Sequence, residues 1–465
     1  MLERRVGRLL IELSLPAGLG MIIYCLLGLV DSFFISRLGA APLAAITLSM
    51  PAQILISSIA ASTGVGLTSL ISRTLGSGDY KYADNAAWHG LLLSIVYGLM
   101  FMLAGSNYID DILLISGCTP ETFRLCQEYL HIILLGSLFT FIPIIVGSIM
   151  QGEGNTFVPV MFTLLTMLLN VILDPVFIFG YGIIEGQGLN GAALATVLAQ
   201  LISSFLMLGV ITRKRSLLSW SLRNFRPRLK VLVEINKVGF PAMLTEIAGV
   251  LLMLVLNKVL AGFGFQALAV LGVFLRVRSL AYMPVFGLTQ GIMPIVGFAY
   301  GARKLDRVKE SIIKASVFSL LVLTAAWFIM QKYPLWIMAF FSSDPDLLTA
   351  GANCMRWATI FLPLMGPVFI VSSVLQAMGK AVAAMCLSLI RQLGLFILPL
   401  LIIPAYCGLN GVWLVFSISE LLSAVLAMFF LFSLWKELQL KKRRSAIILL
   451  PFTRSYQRLL AWLRW

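Results

Sequence analysis

The chain has 465 residues, of which 60% are hydrophobic and 12% charged, and its mean hydropathy is +0.96. A soluble domain carries about 25% charged residues, so this composition excludes a soluble globular enzyme, a disordered chain and a secreted disulfide scaffold. With about 20 apolar residues per span plus short connections, the length accommodates roughly 10–14 membrane helices. The 35 basic and 20 acidic residues give a net charge of +15, and where the basic residues lie decides what that charge means.

Arg4, Arg5 and Arg8 precede an apolar run from about Leu9 to Ile35. That run is longer than the 7–15 residues of a signal-peptide core, so it reads as a retained first span. Spans 2 to 6 are predicted to begin near residues 43, 84, 125, 157 and 190, and spans 7 to 12 near 233, 268, 310, 352, 382 and 410. The expected fold is all-α and polytopic. An N-lobe over 1–212 holds spans 1–6, a cytoplasmic linker covers 213–232, a C-lobe over 233–436 holds spans 7–12, and a basic cytoplasmic tail covers 437–465.

With the N-terminus inside, the inner segments hold about 27 of the 35 Lys and Arg residues and the outer loops about three. This asymmetry predicts cytoplasmic N- and C-termini in the plasma (cell inner) membrane. It also accounts for the charge without a nucleic-acid partner. The six cysteines (Cys25, Cys118, Cys126, Cys354, Cys386, Cys407) form no CxxC pair and fall mostly in apolar runs, where cysteine acts as a small hydrophobe. No zinc or redox site is expected.

The two halves repeat at an offset of about 225 positions. Pro16 in LSLPAG matches Pro241 in VGFPAM, and Gly76 matches Gly301. Gln151 and Gly154 match Gln376 and Gly379, and GLNGAA at 188–193 recurs as GLNGVW at 408–413. Six spans per half is an even number, so both halves enter from the same side. The lobes are therefore expected to be related by a pseudo-two-fold axis along the membrane normal, a plan that suits alternating access.

Ionisable groups inside spans are functional candidates by default. Asp31, Asp174, Glu246 and Glu420 are the acids concerned. From the helical rise, Asp31 lies ~33 Å, Asp174 ~25 Å and Asn170 ~20 Å from the inner face, and Thr196 ~9 Å below the outer one. Asn170 and Asp174 are four apart and share a helix face, and Pro175 frees the carbonyl of Val171 nearby. This all-oxygen set suits Na⁺ or proton exchange better than a soft metal. The same residues also fit a structural reading, with Asp31 as a helix cap and Asp174 as a packing residue beside a kink. Asp31 and Asp174 align near Asn257 and with Leu398, so the second lobe lacks equivalent carboxylates.

Glu246, at ~15 Å from the inner face, is placed to pair with Arg276 or Arg278, or to contact substrate. Arg391 and Glu420 form a second candidate pair, and Gln290 and Gln392 are candidate cavity groups. His89 and His131 fall near span ends and receive no role. SGD at 77–79 is a tight turn. With no Walker motif and no ATPase domain, the expected energy source is an ion gradient. The tail RLLAWLRW, after the basic cluster 441–444, reads either as an amphipathic surface segment or as a solvated tail.

The segments VDSFFISRLG (30–39), QGEGNT (151–156), NVILDP (170–175), GLNGAALAT (188–196) and PIVGFAYGARKLDRVKE (294–310) together resemble the multidrug and toxic compound extrusion (MATE) family, over roughly 9–436. The resemblance implies export of amphipathic organic cations in exchange for H⁺ or Na⁺; no cofactor is expected, and both lobes in one chain make a functional monomer sufficient. Its DNA-damage-inducible and archaeal branch places the cation site at residues matching Asp31, Asn170, Asp174 and Thr196, with Pro16 as a bending hinge; Pro175, beside the site, is a second candidate hinge. Another branch uses an acid in span 10, where this chain reads FLPLMGPVFIVSSVLQ without one. The alternative is a lipid-linked precursor flippase of the same superfamily. A membrane-embedded enzyme would need a GxGD pair, a Ser–His pair or HExxH, and none is present.

Overall fold

A computed structural model describes residues 1–115, 120–182, 184–211 and 216–462. It describes their side chains except at 24–29, 31, 32, 40, 43, 104, 106, 112, 114, 115, 120, 121, 184, 222 and 443–462. The first lobe consists of α1 (Val6–Ser36), α2 (Ala40–Ser77), α3 (Tyr80–Ile115), α4 (Pro120–Leu135), α5 (Ser137–Gly152), α6 (Phe157–Phe179) and α7 (Leu189–Ile211). A small antiparallel hairpin, β1 (Gly180–Tyr181) and β2 (Ile184–Glu185), joins α6 to α7.

The second lobe begins with α8 (Leu229–Ala261), α9 (Phe265–Gly301) and α10 (Leu305–Lys332). After the short α11 (Pro334–Ala339) come α12 (Pro345–Ala358), α13 (Met365–Ala377) and α14 (Ala381–Leu389). A π-helical stretch, Ile390–Ile397, then leads into α15 (Leu398–Trp462).

Among the described residues, nine helices are long and apolar enough to cross a membrane. Two further spans are bent pairs, α4 with α5 at 48° and α12 with α13 at 51°. The longest helix divides at Gly408, whose φ of 58° and ψ of −146° are not helical, and twelve spans result. Each begins within seven residues of its predicted start, the largest difference being at α12, which starts at Pro345 rather than near 352.

The repeat is written into the backbone. Left-handed φ values fall at Gly39 and Gly264, at Gly78 and Arg303, and at Gly154 and Gly379, each pair 225 positions apart. Gly188 and Gly408 follow at 220. The capping bonds repeat too. Asp79 N donates to Thr74 O at 3.1 Å as Lys304 N does to Ala299 O at 2.9 Å, and Asn155 N donates to Met150 O at 2.9 Å as Lys380 N does to Leu375 O at 2.8 Å. These are left-handed helix caps, for which glycine is the usual residue. The second lobe places Arg303 at one of them.

The lobes meet over the half of the bundle that carries the N-terminus. A Cβ on Gly66 would come within 2.3 Å of Ile235 O, one on Gly76 within 2.4 Å of Phe298 O, and one on Gly301 within 2.1 Å of Arg73 O. Small residues allow such approaches and replace the hydrophobic driving force that lipid removes. Ser69 Oγ donates to Gln376 O at 2.6 Å across the same seam. Among the described residues, no hydrogen bond or aromatic contact joins the lobes at the opposite end.

The connecting segment lies along α3. Asp84 accepts from Ser219 N at 2.8 Å and from Asn224 Nδ2 at 2.7 Å. Asn85 accepts from Arg226 N at 2.9 Å, and His89 Nε2 from Arg228 N at 3.1 Å. His89, which received no role from sequence, is buried and holds this strap. The start of the tail is helical, with Lys442 on Asp306 at 2.8 Å. The side chains of the RLLAWLRW segment lie outside the described residues.

Candidate functional site

The spacing of Asn170 and Asp174 on α6 turns both inward, and the two are among the few buried residues of that helix. Asn170 Nδ2 donates to Asp174 Oδ1 at 3.2 Å and to Thr196 Oγ1 of α7, also at 3.2 Å. The Thr196 hydroxyl donates in turn to Ala192 O at 3.0 Å, one helical turn back. Three of the four predicted residues therefore form one cluster, and Asp174 is fully buried. Asp31 lies in α1, which packs beside α6, but its side chain is outside the described residues. Pro175 sits within a continuous α6 and Pro16 within a continuous α1.

The cluster offers carboxylate, amide and hydroxyl oxygens. Hard oxygen donors suit Na⁺, or a carboxylate can exchange a proton. Among the described residues, no group of three or more His, Cys, Asp or Glu is placed to hold a metal ion.

The second lobe carries a charged centre that differs from the expectation. Arg278 Nη2 donates to Glu420 Oε1 at 2.9 Å, and Arg278 Nε donates to Tyr282 Oη at 3.1 Å. Tyr282 Oη also donates to Glu420 Oε1 at 3.3 Å. The predicted Glu246–Arg278 pair is therefore not formed, because Glu420 and Tyr282 already occupy the guanidinium. Glu246 is exposed on α8 and makes no hydrogen bond or ion pair among the described residues, and Arg276 is exposed as well. Arg391 lies in the same cavity as Glu420 but is not its partner. The sequence could not rank these pairs, since α9 and α15 are more than 100 residues apart and their rotation is set by packing.

Gln290 is not a free cavity group. Gln151 of α5 donates to its backbone oxygen at 2.8 Å and to its side-chain oxygen, which ties the lobes together. Gln392 is buried and donates to Thr245 O at 3.3 Å.

Two six-span lobes, each with a buried polar centre and joined, among the described residues, along the half that carries the N-terminus, define a polytopic membrane transporter rather than an enzyme. The chain belongs to the MatE family: the family profile matches residues 16–176 and again residues 241–401, the same 225-residue offset as the internal repeat. It is 26% identical over 445 residues to the multidrug export protein MepA of Staphylococcus haemolyticus, spanning 95% of this chain and 96% of the relative. It is 27% identical to an FAD transporter of Shewanella oneidensis, over 91% and 94% of the two chains. A solved outward-facing multidrug resistance MATE family transporter superposes with a TM-score of 0.88 at 28% identity, covering 95% and 98%.

Proposed function

We propose that the chain is a secondary active antiporter that exports amphipathic organic cations in exchange for H⁺ or Na⁺, with coupling in the N-lobe. The observation that carries this reading is the shared hydrogen bonding of Asn170 with Asp174 and Thr196 in a buried, all-oxygen cluster. A buried carboxylate that must be neutralised by a proton or a cation links the ion to the arrangement of its lobe. Asp31 completes the set on α1, and Pro16 lets α1 bend as the set loads. α13 (Met365–Ala377) contains no acid, which favours the branch with N-lobe coupling. The names of the similar exporters support small-molecule drugs as substrates.

The excess of basic residues at the N-terminal end sets that end inward in the plasma membrane, with both termini cytoplasmic. The lobes meet at this end, so the conformation is outward-facing. Substrate leaves, and the coupling ion enters, from outside. A single chain holds both lobes, so a monomer in a lipid bilayer suffices.

The test is efflux of a fluorescent organic cation from proteoliposomes, driven separately by proton and Na⁺ gradients, for wild type and Asp174→Asn. Gradient-driven efflux that is lost in the variant is the expected result. Efflux that survives would overturn N-lobe coupling and shift it toward Glu246. No efflux under either gradient would overturn the antiport reading in favour of a flippase for lipid-linked precursors.

A further inference from the structure

The charged centre of the C-lobe lines a cavity of about 260 Å³ enclosed by α8, α9, α13, α15 and the π-helical stretch. Arg278, Arg391 and Glu420 all face it. By helical rise, Arg278 lies ~20 Å from the start of α9, near mid-span. Two guanidiniums and one carboxylate leave one positive charge in excess, which is costly at this depth unless a partner neutralises it. Arg278 is satisfied by Glu420 and Tyr282. Arg391 has neither a hydrogen bond nor an ion pair among the described residues, and only the ring of Phe369, 5.7 Å from its guanidinium carbon, offers it a partner.

Two further features point to a ligand. Arg391 and Gln392 sit on the π-helical stretch Ile390–Ile397, a rare geometry that is frequently found at functional sites. The walls are aromatic. Tyr282, Phe286 and Phe369 pack edge to face with centroids 5.2–6.0 Å apart. Such rings receive a planar body, and the unpartnered arginine suits a carboxylate, which a guanidinium can hold by two parallel hydrogen bonds.

We infer that this C-lobe cavity binds aromatic molecules carrying a carboxylate, with Arg391 as the counter-ion. Its volume is below the ~300–1,000 Å³ of pockets for whole drug-sized ligands, so it takes a one- or two-ring body. An excess positive charge disfavours organic cations here. The inference extends the exporter's substrates beyond cations and rests on the proposed function for the direction of transport, whereas binding itself does not depend on a gradient.

The experiment is equilibrium dialysis of the full chain in detergent micelles, with empty micelles as blank, using 1-naphthoate, uncharged 1-naphthamide and 1-naphthylmethylammonium as probes. One naphthoate per chain is expected, bound at least about tenfold more tightly than either other probe. Arg391→Gln should lose about tenfold in naphthoate affinity and leave naphthamide unchanged, while Arg391→Lys restores much of the loss. Equal binding of all three probes, or naphthoate affinity unmoved by Arg391→Gln, would overturn the site. Displacement of naphthoate by chloride would overturn the aromatic assignment in favour of an inorganic anion site.

If Arg391→Gln fails to fold by thermal melting, the Lys variant and the three-probe comparison still decide. Asp174→Asn should bind naphthoate like wild type. A failure of N-lobe coupling is read in gradient-driven efflux, and a failure of this site in binding, so the two remain distinguishable.

Discussion

Gly18 of α1 and Gly287 of α9 pack backbone against backbone: a Cβ on Gly287 would lie 2.3 Å from Gly18 N and 3.0 Å from Ser14 O. Both atoms belong to the main chain, so a side chain there cannot be accommodated by a rotamer change. One turn further along, a Cβ on Gly291 would lie 2.3 Å from the Ser14 hydroxyl oxygen and 3.0 Å from Ser14 N. The contact brings lobe to lobe where alternating access requires them to part, and it depends on residues with almost no side chain.

Gly287→Val should therefore force the lobes apart at the N-terminal end and abolish transport while the chain still inserts and folds. Cysteine placed at Ser14 should become accessible to a membrane-impermeant maleimide in the Gly287→Val background and stay protected without it. Equal protection in both backgrounds would count against the seam as the closing contact.

The Thr196 hydroxyl is the only described group of α7 that bonds Asn170, so its removal tests the cluster without removing charge. Thr196→Val should raise the ion concentration needed for half-maximal efflux by about tenfold, the typical scale of one hydrogen bond to a loaded site. Thr196→Ser should stay near wild type. A Val variant with unchanged ion dependence would assign Thr196 to packing alone.

The Arg278–Glu420 pair is buried, with Glu420 only 2% exposed and its second oxygen without a hydrogen-bond partner. Removing one partner strands the other charge. Arg278→Met or Glu420→Met should each destabilise by about 3–5 kcal/mol, and the double variant by less than either single one. Thermal melting in detergent reads both, and additive losses would show that the residues do not act as a pair.

Glu153 follows α5 and holds the strap between the lobes, accepting from Ser216 Oγ at 2.5 Å and from Leu218 N at 3.1 Å. Burial pushes its carboxyl above the ordinary 4.5, and hydrogen bonds from Ser216 and Leu218 offset that only in part. The ionised form pays the burial cost and the protonated form does not. Docking of the strap is therefore firmest below the ordinary value, weakens as pH rises from it toward the raised one, and is level beyond. Limited proteolysis within 216–228 should quicken over that interval. Glu153→Gln should flatten the profile.

Much of this was legible in the chain because a lipid environment imposes simple rules. Each span needs about 20 apolar residues and each orientation leaves a bias in Lys and Arg, so twelve spans followed from hydropathy and loops alone. The repeat could be read from Pro16 and Pro241 and from the paired glycines, since left-handed turns constrain residue type. The Asn170–Asp174 face was readable because it lies within one helix, and α-helical geometry fixes neighbours four apart.

What depended on the rotation of distant helices was not readable. Glu246, Arg278, Arg391 and Glu420 are all costly mid-span charges, but sequence separation carries no information on which of them meet. Packing turned Arg278 of α9 toward Glu420 of α15, and Arg391 on the π-helical stretch lines the same cavity with, among the described residues, only the Phe369 ring beside its guanidinium. The hydrophobic pattern is indifferent to such choices. Only the tertiary arrangement decided that Gln290 ties the lobes together, that His89 holds the linker, and that the lobes close at one end and part at the other.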